Sequence, residues 1–528
     1  MRTRFLFSLL FCLLVAPLTA LYAAPGPQPE LPLPAGDALI APPPATLSFA
    51  VDDDQLSPRL PSQYLAGRVA VQLILPESTG SFDPSTEDWN AAQVDQIVNE
   101  AQAALDWWRE RLPAARLEFD LSVRVVPTRY EPIRYGLAQE GLWISDVLGE
   151  LGYISANYFE QAYMALFDVR EQRGTDWAAI FFIVNSANDD GYFADGRFAY
   201  AYLNGPFSVI TSDGGPYQTH WLRSVIAHEF AHLFGALDQY SVAGVSCDQR
   251  SGYLFTPTTN SMFNNCGTNE PSIMRELINS FVTGAVDTSA RHQLGYRDSD
   301  DDGVIDVLDT TPALSLTVNL QAVSQRPVVE LTARDLPYPS PVQPDASVNQ
   351  ITAIEYRVGD GEWQLVLPTD GSFDSRRETA QIELPLYDGT YEVEFRTFNT
   401  AGNAATPITQ TFTVSGLGPM PDYHIPAPAQ LDDTMLTIQL QAPADTQAIE
   451  LSIGRDFRSA IRLPYQPALV LPLSSELSLT TVMTTTTTMP TVYVRFVDSA
   501  GRLSLAYTLP VEIPSPSYHQ VMVPLVLR

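Results

Sequence analysis

Apolar and polar positions alternate differently in the two halves of the chain. Between residues 67 and 296, runs with a helical period follow runs with a strand period, whereas residues 313–513 carry mostly strand-like alternation and proline-rich turns. The strands predicted in the first half are Arg68–Leu75, Leu117–Val126, Trp177–Val184, Phe198–Leu203 and Phe207–Thr211, and the helices are Val94–Leu112, Leu142–Leu151, Tyr158–Val169, Trp221–Leu233 and Ile273–Val286. The pattern predicts a multidomain chain, with mixed helices and strands first and a β-rich region after them.

The β-rich region contains a weak internal repeat that suggests two modules. The segment Arg396–Gly402 (RTFNTAG) matches Arg495–Gly501 (RFVDSAG), about one sandwich domain further along. The residues around Ile354–Val358 and Trp363 resemble bacterial immunoglobulin-like modules. We therefore predict immunoglobulin-like sandwiches at 313–415 and 416–513, followed by a C-terminal tail at 514–528.

The N-terminal residues have the pattern of a signal peptide, which we place at 1–23. Arg2 and Arg4 precede the apolar run 5–15, and a cleavage site is plausible before Ala24. Residues 24–66 are rich in proline without periodicity, so they are interpreted as a linker or a pro-segment. Its acidic run 52–54 is interpreted as a solvated turn rather than as a group that reaches a metal. We expect a secreted, extracellular protein, free or attached to the cell surface.

Charge and cysteine content narrow the partners of the chain. With 30 basic and 61 acidic residues the net charge is −31, which argues against nucleic acid or an anionic membrane as a partner. No stretch after the signal peptide is long and apolar enough to span a membrane. In an exported chain, Cys247 and Cys266 are expected to form a disulfide.

The segment His228-Glu229-Phe230-Ala231-His232 carries the candidate chemistry. Two histidines four residues apart lie on one face of a helix, and this spacing suits two nitrogen ligands of a tetrahedral zinc ion. Glu229 between them is predicted to act as the general base of peptide hydrolysis. Gly235 permits a sharp turn after the helix, so that Asp238 can return as the third ligand.

The extended pattern HExxHxxGxxD resembles the metzincin clan of zinc endopeptidases, and most closely snapalysin-type and IgA-cleaving bacterial enzymes. The resemblance covers residues 67–296 and implies an α+β domain with a twisted mixed sheet, an active-site helix and a methionine turn, here at Met274. It also implies that an edge strand pairs with the extended peptide substrate, and the candidate residues are Ala199, Tyr200, Ala201, Tyr202 and Leu203.

A second motif occupies residues 297–312 and resembles the calcium loops of thrombospondin type-3 and dockerin repeats. The glycine at its sixth position, Gly303, permits the sharp turn that such loops need. The predicted ligands of a structural Ca²⁺ ion are Asp298, Asp300, Asp302, Val304, Asp306 and Asp309. Position twelve is aspartate rather than the glutamate of an EF-hand, and an acidic solvated turn is the alternative interpretation.

The sequence therefore predicts a monomeric secreted zinc endopeptidase that acts on proteins or peptides. One alternative places Glu270 or Glu276 as the third zinc ligand, although the spacing of Gly235 and Asp238 favours Asp238. A second alternative is a surface adhesion or carbohydrate- or protein-binding protein with a vestigial protease domain. A cell-surface or matrix ligand for the β modules is compatible with both functions.

Overall fold

A computed structural model describes residues 37–41, 60–319, 325–431, 435–472 and 491–512. The predicted signal peptide, the acidic residues Asp52–Asp54 and the C-terminal tail 514–528 lie outside these ranges. None of the helices in the described part of the chain is long and apolar enough to cross a membrane.

The first domain contains a mixed sheet and six helices among the described residues, in an order close to the predicted one. The strands are β1 (Ala38–Leu39), β2 (Arg68–Ser78), β3 (Glu118–Thr128), β4 (Trp177–Val184), β5 (Ala199–Tyr202), β6 (Phe207–Thr211), β7 (Arg250–Ser251) and β8 (Thr256–Pro257). The helices are α1 (Ala91–Arg111), α2 (Glu140–Glu150), α3 (Tyr158–Arg173), α4 (Leu222–Leu233), α5 (Leu277–Thr283) and α6 (Thr288–Gln293). Short 3-10 turns lie at Pro113–Ala115, Pro132–Arg134, Leu137–Gln139, Gly215–Tyr217, Thr219–Trp221 and Ser241–Ala243.

The six-stranded sheet has the order β1-β5-β6-β4-β2-β3. Its central strands are parallel, with Val69 opposite Trp177 between β2 and β4, while β5 runs antiparallel to β6. The strand β4 is buried along its whole length, as expected for a strand covered on both faces. One face packs against α1 and α4 and the other against α2 and α3, so the sheet separates two hydrophobic cores.

One helix prediction was wrong at its start. Residues 273–276 do not begin a helix, and α5 begins only at Leu277. The amides of Arg275 and Glu276 instead donate to the Ser272 carbonyl, 2.9 and 2.8 Å away, which closes a tight turn. The sequence 273–286 is apolar enough for a helix, but its first residues are held as a turn by packing beneath α4.

The second half of the described chain forms two β-sandwiches, which confirms the prediction of sandwich domains there. The first comprises β9 (Thr311–Asn319), β10 (Val328–Leu336), β11 (Ile351–Val358), β12 (Gln364–Val366), β13 (Arg377–Glu383), β14 (Gly389–Asn399) and β15 (Ile408–Val414). The second comprises β16 (Ala429–Leu431), β17 (Met435–Gln439), β18 (Thr446–Ser452), β19 (Ile461–Pro464), β20 (Ala468–Pro472), β21 (Val492–Asp498), β22 (Tyr507–Leu509) and β23 (Val511–Glu512).

Each sandwich has two sheets around its own hydrophobic core. In the first, the sheets are β13-β10-β9 and β12-β11-β14-β15, and in the second they are β20-β17-β16-β23 and β19-β18-β21-β22. Polar contacts join the first sandwich to the preceding domain, since Arg376 pairs with Asp176 at 2.5 Å. The amide of Asn349 also donates to the Leu308 carbonyl at 2.7 Å, which fixes the end of the acidic loop against the sandwich.

Candidate metal centre

The helix α4 that carries the two histidines is buried on all sides. It packs between the sheet and α1, where the Trp108 indole nitrogen donates to the Ala227 carbonyl at 3.0 Å. At its start, Arg223 forms a bidentate pair with Glu100, with nitrogen–oxygen distances of 2.7 and 2.6 Å. These contacts from α1 fix the helix along its length and orient the face that carries the histidines.

The imidazoles of His228 and His232 are oriented by backbone carbonyls. Nδ1 of His228 lies 2.8 Å from the Ile273 oxygen, and Nδ1 of His232 lies 2.7 Å from the Ala236 oxygen. A carbonyl can only accept, so each Nδ1 carries a proton, and each ring in its neutral form presents the Nε2 lone pair. The two Nε2 atoms are 3.1 Å apart and point at the same region. Two lone pairs held this close require a positive charge between them.

The chain turns sharply after α4 and brings Asp238 to the same region. Gly235 adopts a φ of +91°, and a Cβ there would stand 2.7 Å from the Gly252 Cα. Only glycine combines this backbone conformation with so little room. The turn predicted from the motif spacing is therefore present, and it places the Asp238 carboxylate beside both histidines.

Three ligand atoms form a nearly equilateral triangle. Oδ1 of Asp238 lies 3.2 Å from Nε2 of His228 and 3.2 Å from Nε2 of His232, close to the separation of the two nitrogens. Ligands about 2.0–2.1 Å from a tetrahedral zinc ion stand about 3.3–3.4 Å from one another. The element types and spacings therefore fit one face of a tetrahedral zinc shell. Neither Glu270 nor Glu276 belongs to this group.

A fourth residue, which the sequence analysis did not identify, completes the cluster. Oδ2 of Asp37 lies 3.6 Å from Nε2 of His228, and Oδ1 of Asp37 lies 3.4 Å from Nε2 of His232. The ligand atoms of Asp37, His228, His232 and Asp238 all lie within 4.8 Å of one another. Asp37 stands in a segment without periodicity and far from the motif in sequence, so no spacing rule connects it to the histidines.

The electrostatics of the cluster also require a cation. Burial alone lowers the pKa of both histidines, but the carboxylates of Asp37 and Asp238 outweigh burial and raise both values to about 10. Burial raises the pKa of Asp37, yet the two histidines lower it well below its usual range. Each residue is at most 1% exposed, so solvent cannot supply the missing positive charge. Protons on the imidazoles or a bound metal ion must supply it.

Glu229 and Tyr240 border the same cluster. The Oε2 atom of Glu229 is buried and has no hydrogen-bond partner in the described part of the structure. Burial, followed by the charge of Asp37, raises its pKa well above the usual value. The Tyr240 hydroxyl donates to Oδ1 of Asp37 at 2.7 Å. The sequence analysis did not assign a role to Tyr240, whose hydroxyl is a hydrogen-bond donor beside the cluster.

A buried polar network fixes the segment after α4. The Gln239 side-chain amide donates to Asp287 at 2.7 Å, and the Asn260 amide donates to the Gln239 oxygen at 2.9 Å. The Gln239 backbone amide donates to the Met274 carbonyl at 2.8 Å, and Met274 is fully buried in the core beneath α4. The segment 272–275 therefore orients His228 through Ile273 and Gln239 through Met274. Met274 therefore lies in a tight turn beneath α4, and its assignment to a methionine turn stays a prediction.

The strand β5 lies beside the cluster, and its faces differ. Ala199 and Ala201 belong to the core shared with α4, whereas Tyr200 and Tyr202 belong to the opposite core. Both tyrosine hydroxyls donate to the buried carboxylate of Glu140, that of Tyr200 at 2.6 Å. Leu203 follows the strand and continues its pairing. The predicted substrate strand is therefore fixed in place, but it is not a free edge, because β1 pairs with it.

Two further predicted features lie away from the cluster. Cys247 and Cys266 form the expected disulfide, with a sulfur–sulfur distance of 2.01 Å, and it closes the loop after the metal site. In the acidic loop, Asp298, Asp300 and Asp302 lie together, with ligand atoms within 4.8 Å of one another.

The other predicted calcium ligands have different partners. Asp306 pairs with Arg297 at 2.6 Å, and Asp309 accepts from Asn403 at 2.6 Å. The Val304 amide donates to Asp302 at 2.7 Å. The structure therefore brings together the first three predicted carboxylates, while those of Asp306 and Asp309 make contacts to a neighbouring arginine and to the sandwich.

No family model matches the sequence, and no curated protein matches it. Solved structures that resemble part of the chain include the fibronectin(III)-like modules of Clostridium thermocellum CbhA, 12% identical over 38% of this chain and 94% of that one, with a TM-score of 0.14. The FN1-FN3 domains of chicken CNTN1 are 17% identical over 37% of this chain and 65% of that one, with a TM-score of 0.14. Latent PorU from Porphyromonas gingivalis is 14% identical over 41% of this chain and 22% of that one, with a TM-score of 0.15. Likenesses at such TM-scores identify neither a family nor a function.

Proposed function

We propose that this chain is a secreted zinc-dependent endopeptidase of the metzincin type. The observation that carries the proposal is the triangle formed by Nε2 of His228, Nε2 of His232 and Oδ1 of Asp238, with Glu229 buried beside it. Two imidazoles and a carboxylate suit zinc by ligand type as well as by spacing. A merely structural histidine pair would not need carboxylates on the same side of both rings.

The residues around the triangle support hydrolysis of a peptide bond. A zinc ion held there would act as a Lewis acid and would lower the pKa of a water molecule toward about 7. Glu229 has a raised pKa and a carboxylate oxygen without a hydrogen-bond partner among the described residues. It is therefore suited to accept a proton from the attacking water and to return it to the leaving amine.

Tyr240 is suited to stabilise negative charge at the same site. Its hydroxyl already donates to a carboxylate oxygen of Asp37 beside the histidines. When that oxygen is replaced by the carbonyl oxygen of a substrate, the same donor would face the charge that develops there. The residue two positions after Met274 is Glu276, which offers no phenolic hydroxyl. Tyr240 supplies a hydroxyl from a different position.

The substrate we propose is an extended peptide that pairs with β5. This strand lies beside the histidines, and its residues on the side of α4 are the small, buried Ala199 and Ala201. Backbone pairing at a strand gives affinity without strong sequence preference, and pockets beside it supply selectivity.

We also propose a structural calcium ion at the acidic loop. Asp298, Asp300 and Asp302 converge, and Oδ1 of Asp298 is buried without a hydrogen-bond partner in the described structure. Partial desolvation and the charge of Asp302 raise the pKa of Asp300, as expected where carboxylates crowd together. Oxygen-only ligands of this kind suit Ca²⁺.

The proposal is tested by comparing the natural chain with Glu229→Ala, using Glu276→Ala as the matched control. Glu276 lies outside the cluster and its side chain makes no capping bond at α5. Metal content is measured on each purified chain, and cleavage sites are profiled on a denatured protein mixture. Because Asp37 stands beside the histidines, every variant is also prepared with Asp37→Ala.

We expect about one zinc per chain in all variants. In the Asp37→Ala background, hydrolysis should fall about 10²–10⁴-fold for Glu229→Ala and stay unchanged for Glu276→Ala. A chain without metal would contradict the proposal and would favour the adhesion function. Metal without any Glu229-dependent hydrolysis, in both backgrounds, would contradict it as well.

A further inference from the structure

We propose that Asp37 is a fourth protein ligand of the metal and that residues 37–41 occupy the peptide groove, so that the full-length chain is latent. This inference rests on the zinc endopeptidase function proposed above. It assigns a role to a segment that the sequence analysis interpreted as a linker or a pro-segment.

The first observation is the position of the Asp37 carboxylate. Its oxygens stand 3.4 and 3.6 Å from the two Nε2 atoms, on the same region as Oδ1 of Asp238. A catalytic zinc site keeps its fourth position for water or substrate, whereas a site with four protein ligands is closed. With Asp37 in place, the two histidines and two aspartates supply four ligands. The carboxylate is also 1% exposed and is held by the Tyr240 hydroxyl at 2.7 Å.

The second observation is independent of the carboxylate and concerns the backbone. The strand β1 pairs in parallel with β5, with Ala38 opposite Ala201 and Leu39 opposite Tyr202. The Ala201 amide donates to the Asp37 carbonyl at 3.0 Å, and the Leu203 amide donates to the Leu39 carbonyl at 2.8 Å. These amides are the donors that a peptide substrate would need on this strand. The segment therefore blocks the groove as well as the metal.

The segment is bound in a way that does not make it a substrate. It presents a side-chain carboxylate to the histidines, and a carboxylate offers no peptide bond to hydrolyse. The carbonyls of Asp37 and Leu39 point to the amides of the β5 strand and Leu203 instead. The Ala38 amide donates to Oδ2 of Asp238 at 3.3 Å, which ties the segment to a second ligand.

The described part of the segment makes a small contact with the domain. Leu39 and Ala41 pack against the core that contains Tyr200 and Tyr202, whereas Ile40 between them is 86% exposed. Among the described residues, the contact thus consists of one carboxylate, a two-residue strand and the packing of these two side chains. Such a contact is strong only because the segment belongs to the same chain, which gives it a high effective concentration. A separate ligand of the metal should bind well once Asp37 is removed.

The test uses the full-length chain with Co²⁺ in place of zinc and acetohydroxamate as the probe. Acetohydroxamate binds a metal through two oxygens, and the visible spectrum of Co²⁺ reports changes in its ligands. The variants are Asp37→Ala and the isosteric Asp37→Asn. The control is Asp53→Ala, which removes a carboxylate from the same N-terminal region.

We expect acetohydroxamate to bind Asp37→Ala at least about tenfold more tightly than the natural chain. In the natural chain the probe must first displace the Asp37 carboxylate from the metal, whereas in Asp37→Ala that position is already accessible. The Co²⁺ spectrum should change on Asp37 substitution, Asp37→Asn should follow Asp37→Ala, and Asp53→Ala should match the natural chain. Identical spectra and probe affinities for the natural chain and both Asp37 variants would overturn the inference while leaving the endopeptidase function intact. Loss of metal in both Asp37 variants would also overturn it, since Asp37 would then be indispensable rather than displaceable. Failure of the natural chain to bind any metal would instead overturn the proposed function.

Discussion

The two candidate cation sites in the described part of the chain differ in their exposure to solvent. In the buried cluster, both histidines are 0% exposed and Asp37 and Asp238 are each 1% exposed. In the acidic loop, Asp300 and Asp302 are exposed and Asp298 is half-buried. Carboxylates that face water remain stable without a cation, whereas buried ones must be neutralised or paired.

This difference predicts how each site responds when its cation is removed. The buried cluster has no solvent to replace the ion, so its histidines would take up protons and the surrounding packing would be disturbed. The acidic loop would lose local order while its carboxylates stay hydrated. The two sites can therefore be separated by experiments that remove one ligand, one glycine or one ion.

The largest effect is expected from the third ligand of the buried cluster. In an Asp37→Ala background, Asp238→Ala should weaken zinc binding at least about a hundredfold, because only two histidines remain. In the natural background the loss should be smaller, since Asp37 can still contribute. Zinc affinity is measured by competition with a chromogenic chelator.

Glu270→Ala is the matched control for this prediction. The Glu270 carboxylate accepts from the Thr288 amide at 3.0 Å and takes no part in the cluster. It should keep its zinc in both backgrounds. Unchanged affinity in the Asp37→Ala, Asp238→Ala chain would reject Asp238 as a ligand.

A pair of glycines gives the next largest contrast. Gly235 beside the buried cluster and Gly303 in the acidic loop have φ values of +91° and +92°. A Cβ at Gly235 would meet the Gly252 Cα at 2.7 Å, whereas at Gly303 nothing lies within 4 Å. Alanine at either position incurs a left-handed backbone strain of about 1–2 kcal/mol. At Gly235 overpacking adds about 1–3 kcal/mol.

We therefore expect Gly235→Ala to lower the melting temperature of the first domain clearly more than Gly303→Ala does. Calorimetry on chains loaded with both zinc and calcium measures this difference. Equal shifts for the two variants would show that the turn after α4 is less confined than the structure indicates.

The difference between the buried cluster and the acidic loop also explains which parts of each site could be predicted from the sequence. The motif residues are tied together by helical spacing and by a glycine that the turn requires, so His228, His232 and Asp238 were placed beside one another correctly. Asp37 could not be predicted, because a single aspartate in an aperiodic segment gives no signal of a partner so far along the chain. The β5 strand was located, but its pairing with β1 depends on the same segment.

The acidic loop shows the opposite limitation. Its spacing suggested six ligands, but the pattern contains no information on competing partners such as Arg297 and Asn403. Arg297 is the first residue of the loop itself, and Asn403 belongs to the first sandwich. The spacing of carboxylates in a loop therefore predicts the ligand set less reliably than the spacing of buried histidines on a helix does.

The smallest effect is expected from calcium. At a hundredfold excess over its dissociation constant, an ion that binds only the folded loop stabilises it by about 2.7 kcal/mol. Adding calcium to a chain already saturated with zinc should raise the melting temperature and protect residues 297–312 from a protease. The zinc content should not change, because the loop and the buried cluster share no ligand.

Two substitutions distinguish a bound ion from a solvated turn. Asp300 is exposed, and in the described part of the structure it contacts Asp298 and Asp302 of the same acidic cluster. Asp300→Asn should therefore abolish the response to calcium and change the calcium-free melting temperature little. Asp306 is buried and pairs with Arg297, so Asp306→Asn should destabilise the chain with and without calcium, because it removes the carboxylate that neutralises the guanidinium. If calcium has no effect on the natural chain, the loop is an acidic turn. If Asp306→Asn loses the calcium response while its calcium-free melting temperature is unchanged, then Asp306 is a ligand as the spacing predicted, and its pairing with Arg297 contributes nothing to stability.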